Sequence, residues 1–241
     1  MATHVHASAA GRWLAGAAAI GVGAYAATAA TLWMRYGHPA PARDDQRDPL
    51  LDRFMPDYDV VTRHARRIDA PPKDVLAAAR EMDLWGSPVA RAIFRVRELV
   101  LGARATTPPA RGLMDEVTAL GWGVLAEIPG REIAVGAVTR PWEADVTFRA
   151  LPSDRFVAFA EPGYVQIAWN LRADPDGAGG TIFRTETRAR ATDAGARARF
   201  RRYWACFSPG MWVIRWTMLA PLARAATVRR KHRPPLDSVL S

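Results

Sequence analysis

Three glutamates are the residues best able to do acid–base chemistry in this chain: Glu132, Glu161 and Glu186, with Arg140 and Arg184 as charge partners. A carboxyl group buried in apolar surroundings has its pKa raised, and it can then hold or pass a proton near neutral pH. Glu132 is the candidate catalytic residue, because alternation along its strand leaves its face open. Glu186 falls on the charged side of its strand, where a surface ion pair is the simpler role. Little else is arranged for chemistry. Of the histidines (His4, His6, His38, His64 and His232), only His64 lies inside the expected folded part. No HExxH pair is present, and no metal centre is expected. The single cysteine, Cys206, excludes an internal disulfide framework and a multi-cysteine metal site. It falls among apolar residues, where a buried, inert thiol is expected. A P-loop, a dinucleotide-binding glycine fingerprint after a strand, and a GxSxG elbow are all missing, so no cofactor is expected.

The elements that would position these groups converge on residues 180–226. Thr181 to Ala191 alternates like a strand. One side carries Ile182, Arg184, Glu186, Arg188 and Arg190; the other carries Thr181, Phe183, Thr185, Thr187, Ala189 and Ala191. The charged side is expected to be solvated, and the small side to face inward. Thr192 and Asp193 then offer a helix N-cap. Beyond them Phe200, Trp204, Phe207, Met211, Ile214, Met218 and Leu222 recur in steps of three and four, the stripe of a long helix. Small inward residues opposite an aromatic helix leave room for a cavity, or else let the two pack closely. The expected pocket residues are Trp169, Phe183, Thr185, Thr187, Trp204, Phe207, Met211 and Ile214. Ser208-Pro209-Gly210 lies inside the helix and predicts a kink or interruption near Phe207–Gly210, with the second half free to act as a gate or to dip toward the membrane.

Upstream, Tyr58 to Ile68 reads as a first strand, followed by two short helices opened by Pro71-Pro72 and by Ser87-Pro88. From Trp122 the pattern has period two, broken by Gly/Pro turns, which predicts an antiparallel meander. The expected organisation is a leader and span over residues 1–36, a Pro- and charge-rich linker over 37–56, a folded α+β domain over 57–228, and a basic tail over 229–241.

The chain has 241 residues and a net charge of +9, which favours anionic partners. Trp13 to Met34 carries no charge, and as a helix it measures roughly 33 Å, long enough for a bilayer core of about 30 Å. Arg35, Arg43 and Arg47 follow it, against Arg12 before it, which places the C-terminal part in the cytoplasm as a single-pass membrane protein. Ala27-Thr28-Ala29 keeps a cleaved signal peptide as the alternative. The tail Arg229 to Arg233 could touch an anionic membrane surface. Arg197 to Trp204 mixes arginine with aromatic residues, but the aromatics fall on the core stripe, so nucleic acid is not expected as a partner.

Strand, two helices, antiparallel strands and a long C-terminal helix is the element order of the helix-grip fold. The strings REIAVGAVTRPW from Arg131, FAEPGYVQIA from Phe159, TETRARATD from Thr185 and FRRYWACFSPGMWVIR from Phe200 resemble an uncharacterised bacterial branch of the START-like, or SRPBCC, superfamily. The resemblance covers roughly residues 57–226. It implies an apolar pocket between a curved sheet and the long helix, holding a lipid or another hydrophobic molecule. Some members of the superfamily are cyclases or hydrolases, and many only bind. The resemblance assigns no catalytic residue. Three readings follow: a membrane-anchored binder of a lipid-like small molecule, an enzyme using a buried carboxylate such as Glu132, or a tethered interaction protein.

Overall fold

The computed structural model describes residues 9–104 and 112–231, with side chains from residue 21 onward. The first residues of the leader, most of the loop over 103–111 and nearly all of the basic tail lie outside the described residues. Six strands form one antiparallel sheet: β1 (Val60–Ile68), β2 (Gly123–Ile128), β3 (Glu132–Thr139), β4 (Phe148–Arg149), β5 (Val165–Pro175) and β6 (Thr181–Ala191). Their spatial order is β1-β6-β5-β3-β2, with β4 paired to the end of β3. The long helix α7 (Ala194–Lys231) lies across one face of this curved sheet. Beside it on that face are α3 (Pro72–Arg80), α4 (Pro88–Leu101) and α5 (Leu113–Ala119). This is the α+β arrangement of a sheet gripping a C-terminal helix.

Local chemistry sets the boundaries. Asp193 Oδ1 accepts from the Gly195 and Ala196 amides at 2.7 and 3.0 Å and so caps α7. Ser87 caps α4 ahead of Pro88, and Gly102, at φ 68°, closes it in the left-handed region that glycine enters without strain. Asp176 folds the β5–β6 hairpin by accepting from the Ala178 and Gly180 amides.

The other face of the sheet is also covered. Asp48 caps α2 (Pro49–Asp52) by accepting from the Leu51 amide at 2.9 Å. Leu50, Leu51, Phe54 and Met55 are buried there against Leu125, Ala134, Val138, Ala168 and Phe156 of the short helix α6 (Ser153–Val157). Complete burial of a leucine side chain such as Leu51 contributes about 1.5–3 kcal/mol. This segment is therefore a strap packed on the sheet, where a tether over 37–56 was expected. Every residue of β3 is buried, because both of its faces are covered.

The strap also corrects the expectation for β6. Glu186 and Arg188 take the predicted face, yet they are buried rather than solvated. Arg188 pairs with Glu186 at 2.7 Å and with Asp52 of α2 at 2.6 Å, and it donates to the Met55 carbonyl at 2.7 Å. Arg63 holds the other side of Glu186 at 3.0 Å. This part of the charged stripe thus became the polar underside of the strap, with Glu186 and Arg188 each answered by opposite charges.

Helix α7 runs unbroken through Pro209 and Pro221, so the expected interruption is withdrawn. Hydrogen bonds to backbone carbonyls flank the proline on its N-terminal side. Ser208 Oγ donates to the Trp204 carbonyl at 2.6 Å, and Tyr25 of α1 (Ala9–Arg35) donates to the Cys206 carbonyl. Gly210 serves packing rather than a break, since a Cβ there would meet Ile93 of α4 at 2.8 Å. Cys206 itself is exposed, contrary to expectation, because it lies off the buried stripe.

Helix α1 lies against α7 from Tyr25 to its end. Arg201 stacks over Trp33 at 4.2 Å, and buried Tyr36 meets Phe200 edge-on. Among the described residues no helix is long and apolar enough to cross a membrane. The C-terminal end of α7 is tied down as well: Arg229 pairs with Glu81, and Arg230 with Asp69 at 2.8 Å.

Candidate functional site

A cavity of about 430 Å³ separates the sheet from α7. The strands supply alternate residues to it: Ile167, Trp169 and Leu171 from β5, and Phe183, Thr185, Thr187 and Ala189 from β6. The helix supplies Phe200, Trp204, Met211, Ile214, Met218 and Leu222 at helical spacing. Met82, Phe94, Leu113 and Trp122 close it from the side. Small residues on β6 opposite large ones on α7 leave the space open; a larger side chain at Thr185, Thr187 or Ala189 would fill it.

Of the expected pocket residues, Trp169, Phe183, Thr185, Thr187, Trp204, Met211 and Ile214 all line this cavity. Phe207 does not. Its ring is tilted against Tyr203 at 4.9 Å, and it lines a separate shallow site with Trp142, Leu101 and Cys206. Seven residues take the helix round almost two turns and bring a side chain back to the same face, so Trp204 and Met211 share the cavity. Phe207, between them, turns to the flank.

Arg215, which was not among the expected residues, also lines the cavity. It stands four residues after Met211 and three before Met218, so its place on the apolar stripe was legible as an arginine at a core spacing. Its Nη1 donates to Thr185 Oγ1 at 3.2 Å and its Nη2 to Thr187 Oγ1 at 2.5 Å. It forms no ion pair with any described carboxylate, and burial alone pushes its pKa down to about 10, so it stays charged. His64 lies on the same face, paired in register with Thr185 and tilted against Trp212. Burial, helped by the nearby Arg215 charge, pushes His64 down to about 4, so it is neutral at physiological pH. Neither ring nitrogen has a hydrogen-bond partner.

None of the three candidate glutamates reaches the cavity. Glu161 is exposed and pairs with Arg149 at 2.8 Å. Glu186 is under the strap. Glu132 is buried on the same far face, where Asn170 Nδ2 donates to it at 2.7 Å and to Asp48 at 2.6 Å. The candidate acid is therefore separated from the pocket by the thickness of the sheet, because β3 sends Glu132, Ala134 and Gly136 away from α7. Burial first, and then the neighbouring Asp48 charge, raise Glu132 to about 7.

A raised carboxyl pKa favours the protonated fold. The unfolded group loses its proton near 4.5 while the folded group keeps it to about 7, so the stability it contributes is present below pH 4.5 and lost as pH rises to about 7. Replacing Glu132 with glutamine is expected to remove that loss. Melting temperature recorded across the same pH window should fall less in the variant than in the parent; parallel curves would refute the assignment.

No protein-family model and no curated protein matches the chain. Among solved structures, CalU16 from Micromonospora echinospora is similar over 71% of this chain and 85% of its own, at 11% sequence identity and a TM-score of 0.25. A likeness at that score carries no argument, and the fold rests on the strand order and helix placement described above.

Proposed function

We propose that this protein binds a hydrophobic, lipid-like small molecule between the sheet and α7, as a START-like domain does. The observation that carries this reading is the cavity itself. At about 430 Å³ it falls in the range of small-molecule sites, roughly 300–1,000 Å³, and its walls are mainly apolar and aromatic with a few convergent polar groups. It is formed by the elements that also make the core, so it is built into the fold. Buried apolar area is the main source of affinity for such a ligand, at about 25 cal/mol per Å².

The test is uptake of a fluorescent acyl probe, NBD-dodecanol, by the full chain. Saturable binding that Ile167→Trp abolishes supports the proposal, since that side chain points into the cavity from β5. The melting temperature of the variant should hold or rise, because the indole fills space. Uptake unaffected by the filled cavity would place binding elsewhere and end the reading.

Attachment to a membrane through α1 is a second element of the proposal, supported by the uncharged run Trp13–Met34. The contacts of α1 with α7 set its condition. With residues from Tyr25 onward docked, the part of α1 ahead of them measures roughly 24 Å at 1.5 Å per residue, short of a bilayer core of about 30 Å. A spanning α1 and a docked α1 are therefore alternatives. Alkaline carbonate extraction of membranes carrying the full chain separates them: retention in the pellet supports the tether, and release supports the docked helix.

A further inference from the structure

Arg215 is a permanent cation placed in a mainly apolar cavity. Moving a guanidinium out of water costs several kcal/mol unless an anion or a full set of acceptors receives it. Two threonine hydroxyls accept from it, and its other N–H groups have no acceptor among the described residues. The carboxylates that line the cavity do not answer it: Glu98, Glu116 and Asp145 form no ion pair with Arg215. Two other arginines packed on the sheet are answered by carboxylates. Arg188 has Glu186 and Asp52, and Arg172 has Asp174 at 2.8 Å. Arg97 and Arg190 also lack a carboxylate, but neutral oxygens receive them: Tyr203 and backbone carbonyls for Arg97, Gln166 for Arg190. Arg215 has only the two hydroxyls, and it lines the space a ligand would take.

The surroundings favour a ligand anion over an internal one. Thr185 and Thr187 hold the guanidinium against the sheet, fixing its plane, and Thr62, paired in register with Thr187, adds another hydroxyl beside it. Neutral His64 can donate or accept on the same face. Away from this polar corner the walls are Phe183, Trp169, Met218 and Leu222. The corner at Arg215 suits a small anion, and the apolar wall beside it suits hydrocarbon.

We infer that the cavity takes a single-chain amphiphile with an anionic head, a carboxylate or phosphate, which pairs with the Arg215 guanidinium while its apolar body lies against Phe183, Trp169 and Met218. This rests on the reading of the cavity as a ligand site and adds the charge of the ligand. No bond is made or broken; the head group enters as the anion.

The test compares dodecanoate, dodecyl phosphate and dodecanol by calorimetric titration of the full chain. The three share one hydrocarbon chain and differ in the head. At least one anion should bind more tightly than the alcohol by about tenfold to a hundredfold, the scale of a desolvated charge-assisted contact. Which anion leads tells a carboxylate from a phosphate head. Arg215→Met should remove the preference while leaving dodecanol binding, and Arg215→Lys should keep part of it. Melting curves establish that each variant is folded. Equal affinity for alcohol and anions in the parent would overturn the inference and leave the cavity reading standing. An anion preference that survives in folded Arg215→Met would also overturn it. Binding of none of the three would overturn both.

Discussion

Arg188→Met is expected to destabilise the fold by about 3–5 kcal/mol, the range for breaking a buried ion pair from one side. The side chain is 2% exposed and holds Glu186, Asp52 and the Met55 carbonyl at once. Its guanidinium also lies over the Tyr58 ring at 4.9 Å. Methionine fills the volume but leaves Glu186 with only Arg63, and leaves a buried carbonyl without a donor. The cost is therefore the orphaned groups rather than the lost attraction. Urea unfolding measures it. A second change, Glu186→Leu, in the same chain should recover part of the loss, because an apolar replacement of both partners removes the uncompensated charge. A single variant as stable as the parent would mean that water reaches this site.

The second large effect concerns where the folded unit begins. A chain starting at Asp57 would lose Leu50, Leu51, Phe54 and Met55, and would expose Ala134, Val138, Phe156 and Ala168 to water. It would also leave Arg188 and Asn170 without Asp52 and Asp48. Each lost large apolar side chain withdraws about 1.5–3 kcal/mol, and a domain of this size has about 5–15 kcal/mol in all. Such a chain is expected to be insoluble or to lack a cooperative transition. A chain starting at Met34 keeps the strap and Tyr36, and it should melt cooperatively. Near-ultraviolet circular dichroism with thermal melting tells them apart, and a stable, cooperative product from Asp57 would refute the role given to the strap.

The fold was largely legible because its signals are local. Alternation set the strands from Trp122 onward, Pro71-Pro72 and Ser87-Pro88 opened their helices, and Asp193 capped α7 as its side-chain chemistry requires. The inner face of β6 was read from parity alone, and so were most of the cavity residues. Errors arose where a residue's role depends on a partner distant in sequence. Arg188 and Glu186 look like surface charges until Asp52, more than a hundred positions earlier, lies over them. Leu50 to Met55 is too short to show a period, and only the exposed apolar patch on the sheet explains its burial. Pro209 predicts a break from backbone chemistry, but the helix runs on through it, in contact with α1 and α4 on either side.

By itself the sequence determined the main strands and the long C-terminal helix, which side of β6 is small, and that a long apolar stripe would meet it. These follow from backbone periods and cap chemistry, which act within a few residues. Tertiary structure alone decided that the space between stripe and strand stays open, that Glu132 lies on the far side of the sheet, and that Arg215 enters the cavity without a carboxylate. Those outcomes depend on volumes and charges brought together from β5, β6, α3 and α7, and no local spacing encodes their sum.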